Sequence, residues 1–233
     1  MGVIIGSDNL HIRRSAERKS RKENILKQRS SNWLIVCEGT KTEPNYFEKA
    51  IQDINTNIED KYRLKVKVVG KGVSTKSLVK ATDLQIKIDK YSNSVIPYGK
   101  IFVVFDKDSF SDDDFDDTIK MCEDNGYIPL WSNQAIEYWF LLHFHYVNSK
   151  MDRKDYAKKL NEYFKNSGIN YEYKKNDENI YNLLCKYGSL DKARNNSKKI
   201  NEEHKNDEPS LSESCTVVHR LFDEIDERLK ELE

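Results

Sequence analysis

The sequence lacks cysteine pairs, long apolar runs and an excess of charge of either sign. Its four cysteines are widely scattered with no CxxC pair, which argues against a zinc cluster or a disulfide framework and favours a reducing cytoplasm. No apolar run approaches the length of a membrane span, and the run at residues 3–5 is too short for a signal peptide. We therefore expect a soluble, cytoplasmic protein that does not enter a membrane.

Charge is balanced overall but uneven along the chain. The 39 basic and 39 acidic residues give a formal net charge of zero, so overall charge predicts affinity for neither nucleic acid nor membranes. Residues 1–30, however, carry eight Lys or Arg against three acids. This basic arm is either a solvated leader or a segment that contacts nucleic-acid phosphates, for example through Arg13 and Arg14.

Two further signatures are absent. No internal repeat of solenoid period is visible, and residues 70–77 (GKGVSTKS) lack the GxxxxGK[ST] spacing of a nucleotide-binding loop. Nucleotide hydrolysis is therefore not expected. The glycines, hydroxyls, Lys71 and Lys76 of this stretch could still hold a substrate phosphate at a helix start, and an ordinary strand-to-helix turn is the alternative.

Apolar runs of strand length alternate with helical patterns in the first two thirds of the 233 residues. This rhythm predicts a Rossmannoid parallel sheet flanked by helices. The expected strands are residues 33–37, 64–69, 101–105 and 127–131, with helices beginning near residues 44, 78 and 115. The aromatic segment 135–146 predicts one buried helix. The polar remainder predicts helices at residues 153–164, 180–187, 189–206 and 215–232.

These patterns divide the chain into three parts. We expect a basic arm at residues 1–30, an α/β domain at 31–147 and a mainly helical region at 148–233 packed on that domain.

Carboxylates follow two of the expected strands. Glu38 comes directly after residues 33–37, and Asp106 and Asp108 follow residues 101–105. Ligands bind at the carboxyl ends of parallel strands, and oxygen-only clusters suit Mg²⁺ or Mn²⁺. Crowded carboxylates repel one another unless a cation neutralises them, and such a cation can assist phosphodiester cleavage. We interpret the acids of residues 112–117 instead as a helix N-terminus.

Several other residues are candidates with ordinary alternatives. Lys41 could hold a scissile phosphate or be a solvated loop lysine, and Glu43 could be a further metal ligand or only favour the helix that Pro44 begins. Asn133 could bind a loop or the ligand. His143 could face the site or be a core histidine, and its spacing from the next histidine does not suit a zinc pair.

The same residues resemble known modules. An apolar strand ending in Glu-Gly (residues 35–39) and a later one ending in Asp-x-Asp (residues 102–108) resemble the Toprim fold of topoisomerases, primases and OLD-family nucleases. The blocks CEGTKTEPNYF (37–47), DKD (106–108) and SNQAIEYWFLLHF (132–144) are together similar to the RloB family. Gln134 and Ala135 depart from the family pattern, in which proline and an apolar or aromatic residue are expected.

This resemblance implies a Toprim-type nuclease of prokaryotic anti-phage defence, often encoded beside an ATPase partner, that is active either by itself or only with that partner. It implies that Glu38 is a metal-linked general acid or base, with Lys41 beside it. Asp106 and Asp108 would be the metal-binding pair, and Glu137 would contribute to a second Mg²⁺ or Mn²⁺ position. The substrate would be DNA or RNA, possibly tRNA, and a homo-oligomer is compatible with the sequence.

Two other functions stay open. A regulatory module could keep a Toprim-like site as a scaffold and contact an ATPase partner without cleaving nucleic acid. Phosphotransfer of the topoisomerase or primase type ranks last, since no tyrosine-nucleophile domain or zinc ribbon is evident.

Overall fold

A computed structural model describes residues 31–93 and 97–231, together with Arg18. Apart from Arg18, the predicted basic arm lies outside the described residues, and so do Arg13 and Arg14. None of the described helices is long and apolar enough to cross a membrane. All four cysteines are free thiols.

The described residues form five strands and eight helices. The strands are β1 (Asn32–Cys37), β2 (Lys65–Gly70), β3 (Lys100–Asp106), β4 (Ile128–Asn133) and β5 (Cys215–Thr216). The helices are α1 (Thr42–Thr56), α2 (Thr75–Asn93), α3 (Asp112–Asp124), α4 (Glu137–Leu142), α5 (Arg153–Asn166), α6 (Ile180–Tyr187), α7 (Leu190–Glu203) and α8 (His219–Lys230).

All five strands belong to one sheet in the order β2-β1-β3-β4-β5. The first four are parallel, and β5 pairs antiparallel with β4. Cys37 at the end of β1 lies opposite Val104 of β3, so both strands finish at the same edge. The middle residues of β1 and β3 are buried, as expected for central parallel strands with helices on both faces. The predicted α/β fold with a parallel sheet is confirmed.

The prediction of one helix over residues 135–146 was wrong in length. The helix α4 has six residues, all buried. Its last carbonyls are satisfied by another part of the chain, because Asn196 donates its side-chain N–H to the Leu142 carbonyl and Ser189 donates its backbone N–H to the His143 carbonyl, each at 2.9 Å. These bonds satisfy helix-end carbonyls without a further helical turn. The aromatic run therefore indicated burial correctly but not helix length.

The prediction of a helix from residue 215 was also wrong at its start. Cys215 and Thr216 form β5, and the Val217 N–H donates to the Trp131 carbonyl at 3.0 Å before α8 begins at His219. Pairing with β4 satisfies backbone groups that a helix would otherwise bond internally. The other regular elements described after residue 148 are the helices α5 to α8, and the region contributes this edge strand to the sheet.

Candidate active site at the carboxyl edge of the sheet

The first two carboxylates of the site come from adjacent parallel strands. Glu38 follows β1 directly, and its backbone N–H donates to the Val104 carbonyl of β3 at 2.9 Å. Asp106 ends β3, and its backbone N–H donates to Glu38 Oε2 at 3.2 Å. The strand pairing therefore brings these two side chains together at the carboxyl edge.

Two helix starts bring two more carboxylates to the same place. Glu43 lies in the first turn of α1 and Glu137 is the first residue of α4, and both side chains are buried. Gly39 makes room for this arrangement, because a Cβ atom there would lie 2.2 Å from Glu43 Oε2. Tyr173 donates its hydroxyl to Glu137 Oε1 at 3.1 Å. Local helix and strand boundaries thus converge on one acidic cluster.

This cluster lines a pocket of about 250 Å³, which we call the acidic pocket. The lining holds five carboxylates and three cationic side chains. Its residues are Glu38, Gly39, Thr40, Lys41, Thr42, Glu43, Asp106, Asp108, Ile136, Glu137, Arg153, Lys175 and Asn176.

Three carboxylates of the acidic pocket have raised pKa values. Burial raises the pKa of Glu38 to about 7; the Asp106 backbone N–H opposes this rise and the charge of Glu43 adds to it. Burial also raises the pKa of Asp106 well above its usual range, with the charges of Glu43, Glu137 and Glu38 adding to the effect. The pKa of Glu43 is raised mainly by burial. A cation in the pocket would relieve this repulsion.

Asp108 lies at the rim of the acidic pocket and has a cationic partner. Its backbone is left-handed, with φ of 44°, and its N–H donates to the Gln134 carbonyl at 3.0 Å. Its carboxylate forms an ion pair with Arg153, the first residue of α5, and this bond raises the pKa of the arginine. Aspartate tolerates this backbone region better than most residues. Asp108 is therefore engaged by a guanidinium rather than grouped with the buried acids.

The donor set matches a hard cation in its chemistry. Asp106 Oδ1 is buried and has no hydrogen-bond partner among the described residues, and a buried unpaired carboxylate oxygen is costly. All nearby acidic donors are oxygens, which suits Mg²⁺ or Mn²⁺. Within the described ranges, however, no three His, Cys, Asp or Glu side chains are already arranged to hold one ion. To bind a metal ion, the carboxylates of Asp106 and of a neighbouring acid such as Glu38, Glu43 or Glu137 would have to move closer together.

The predicted lysines divide into two groups. Lys41 is exposed and lines the acidic pocket. Lys71 lies outside it and donates to Gln85 Oε1 at 2.5 Å. Lys76 also lies outside and is paired with Asp114 at 2.9 Å and with Asp117 at 2.8 Å. The loop of residues 70–77 therefore supplies no side chain to the pocket lining.

Asn133 and His143 also lie outside the acidic pocket. Asn133 donates its side-chain N–H groups to the carbonyls of Pro209 and Ser210, at 3.2 and 3.0 Å. His143 is fully buried, and its Nδ1 lies 3.1 Å from the Trp139 carbonyl. Burial lowers the pKa of His143 to about 4, so the ring is neutral near pH 7. Both residues make contacts that hold loops and core together.

Sequence reasoning missed the contribution of the C-terminal region to the pocket. Arg153, Lys175 and Asn176 all lie in its lining. Asn176 connects this region to α1, since its N–H donates to Thr42 Oγ1 at 3.2 Å and its carbonyl accepts from Asn45 at 3.0 Å. The only sequence signal was the start of a predicted helix at residue 153, which says nothing about distant contacts.

One comparison with known proteins matches the part of the chain that contains the acidic pocket. A family model described as RloB-like protein matches residues 33–225, which includes every residue of the acidic pocket. Searches of the curated proteins and of the solved structures found no match.

Proposed function

The chain belongs to the RloB-like protein family, and on that premise we propose that it is a metal-dependent nuclease of the Toprim type. The observation that carries the proposal is the buried, unpaired Oδ1 of Asp106 beside Glu38, Glu43 and Glu137 at the carboxyl ends of parallel strands. The chain order of a strand before Glu38-Gly39 and a strand before Asp106-Lys107-Asp108 supports the Toprim relationship.

The acidic pocket has donors for Mg²⁺ or Mn²⁺. Asp106 would hold the ion together with one or more of Glu38, Glu43 and Glu137, and two ions would use this set more fully. When bound, such an ion polarises a phosphoryl oxygen and stabilises the departing oxygen. Because Glu38, Glu43 and Asp106 have raised pKa values, ion binding would compete with protons and strengthen as pH rises.

The remaining pocket residues suit phosphodiester chemistry. A pKa of about 7 allows Glu38 to accept or donate a proton near neutral pH, which is the requirement for a general acid or base. Lys41 and Arg153 lie in the pocket lining, where an ammonium and a guanidinium can bind phosphate oxygens. Phosphate binding by Arg153 would compete with its ion pair to Asp108 and free that carboxylate.

The biological role follows from the resemblance to the family rather than from the pocket. We propose that the chain is the effector of a prokaryotic anti-phage defence system in the cytoplasm and acts with an ATPase partner. The substrate is DNA or RNA, with tRNA among the RNA candidates. A homo-oligomer is compatible with this role.

The test is a cleavage assay with purified protein. Wild-type protein, Glu38→Gln and Asp114→Asn would each be incubated with total RNA and with plasmid DNA in Mg²⁺, Mn²⁺ or EDTA. We expect cleavage by the wild type only with a metal ion, and a loss on the order of 10²–10⁴-fold in Glu38→Gln. Asp114→Asn also removes one carboxylate, from a surface helix, and should cleave like the wild type.

A regulatory module is the second candidate, favoured by one observation. In the described part of the chain the acidic side chains do not converge on one ion position, and Arg153 neutralises Asp108. A module of this kind would cleave neither RNA nor DNA in any of the three conditions. It would also bind its partner equally well with and without the Glu38→Gln substitution, whereas a nuclease predicts metal-dependent products.

A further inference from the structure

A second pocket, of about 270 Å³, adjoins the acidic pocket, and we call it the basic pocket. Its lining residues are Glu137, Arg153, Lys154, Ala157, Tyr173 and Lys175. The two pockets share Glu137, Arg153 and Lys175, so a ligand that fills one can continue directly into the other.

The balance of charge reverses between the two pockets. The acidic pocket has five carboxylates and three cations in its lining, whereas the basic pocket has three cations and one carboxylate. That one carboxylate, Glu137, accepts a hydrogen bond from the Tyr173 hydroxyl at 3.1 Å. The basic pocket therefore favours an anion, and the neighbouring one favours a cation.

The two lysines of the basic pocket are available for a ligand. Lys154 and Lys175 are exposed, and among the described residues neither ammonium lies within ion-pair distance of a carboxylate, although the charge of Lys175 partly offsets the raised pKa of Glu43. Arg153 stands between the pockets with its guanidinium on Asp108. Two exposed ammonium groups and a guanidinium in one concave surface match phosphate oxygens better than they match a neutral ligand.

We propose that the basic pocket binds a phosphate of the nucleic-acid backbone that flanks the phosphate at the acidic pocket. This inference rests on the proposed nuclease function, and it assigns a path for the substrate strand across α5. A polyanion that approaches five carboxylates is repelled, and cations beside them offset that repulsion where the strand continues. The basic pocket thus anchors the strand while the acidic pocket acts on it.

The basic pocket also predicts how the strand is recognised. Of the described residues, Tyr173 is the only aromatic one in this lining, and its ring is buried with its hydroxyl on Glu137, so it offers no face for base stacking. Contacts to phosphates carry no sequence information. Binding here is therefore independent of base sequence and sensitive to salt.

The experiment measures binding without cleavage. A short fluorescein-labelled single-stranded oligonucleotide is titrated with protein in EDTA over a range of salt concentrations, and fluorescence anisotropy gives Kd. The double variant Lys154→Ala/Lys175→Ala is compared with Lys120→Ala/Lys165→Ala. The control removes the same charge from exposed residues outside both pockets.

We expect the pocket variant to bind more weakly by on the order of tenfold at 0.1 M salt, and its slope of log K against log salt to fall by about 0.7, which corresponds to one single-strand phosphate contact. The control should shift neither quantity. Equal binding by the two double variants, or no binding by the wild type, would overturn the proposal.

The binding assay separates this proposal from the nuclease itself. Wild-type protein that binds through these lysines but never cleaves with metal, either alone or with the ATPase partner added, would keep the phosphate site and refute the nuclease. Protein that cleaves with metal but loses no affinity in the pocket variant would keep the nuclease and refute the phosphate site.

Discussion

Two aspartates, Asp106 at the end of β3 and Asp114 at the start of α3, lie close in sequence but in very different environments. Asp106 lies in the acidic pocket, where burial raises its pKa and where Oδ1 has no hydrogen-bond partner in the described part of the chain. Asp114 lies in the first turn of α3, half exposed, where hydrogen bonds from the Lys76 ammonium and the Ser111 hydroxyl to its carboxylate lower its pKa. An aspartate side chain thus favours its neutral form at Asp106 and its anionic form at Asp114.

The comparison shows why acid content alone does not identify a site. Carboxylates at a helix start interact favourably with the helix dipole and nearby lysines, and they stabilise the fold. Buried carboxylates that face one another oppose folding until a ligand neutralises them. The unsatisfied group, not the acidic run, indicates where a ligand is expected.

Without a metal ion, the pH response of Glu38 should change stability more than the loss of a helix cap does. Its pKa in the folded state is about 7, above the ordinary 4.5 expected in the unfolded chain. The folded state therefore holds this proton between pH 4.5 and 7, so the stabilisation is complete below that window and is lost as pH rises through 7. One pKa unit corresponds to about 1.4 kcal/mol, and solvent screening of this partly exposed group reduces the sum to roughly 1–2 kcal/mol.

Denaturation in EDTA at pH 5 and pH 8 measures this response. Between those values the wild type should lose roughly 1–2 kcal/mol more free energy of unfolding than Glu38→Gln, which keeps an oxygen for the Asp106 N–H. An identical pH response in the two proteins would mean that Glu38 is not perturbed.

A smaller change in the free energy of unfolding is expected at the helix cap beside Asp114. Ser111 Oγ accepts the Asp114 N–H at 3.2 Å at the start of α3. Ser111→Ala should lower the free energy of unfolding by about 1 kcal/mol. Thermal denaturation measures it, with Ser109→Ala, two residues earlier in the exposed loop, as the control. If Ser111→Ala also weakened metal binding at the acidic pocket, the environments of Asp106 and Asp114 would not be independent of each other.

Much of the fold was readable because apolar runs report burial directly. Residues 33–37 and 101–105 are each enclosed in a strand of the central sheet. The two errors, at residues 135–146 and at Cys215, arose where distant backbone groups decide the local structure. Hydrogen bonds between segments far apart in sequence produce no periodic pattern of apolar residues in either segment.

The part of the candidate site that lies on the apolar strands could also be predicted from the sequence. Glu38 and Asp106 follow strands directly, so the sheet alone brings them together. Glu43, kept as a secondary candidate, lies inside the cluster because Gly39 leaves room for it. Arg153 and Lys175 could not be foreseen, since their positions depend on how the C-terminal helices pack over α1 and the sheet.

The most direct test of the metal site is the stabilisation by Mn²⁺ of wild-type protein, Asp106→Asn and Asp114→Asn, measured by denaturation with and without the ion. At about 100 times Kd, a bound ion should raise the free energy of unfolding of the wild type and of Asp114→Asn by about 2.7 kcal/mol. Asp106→Asn should gain almost nothing. Equal gains in all three proteins, or none in the wild type, would contradict a metal site built on Asp106.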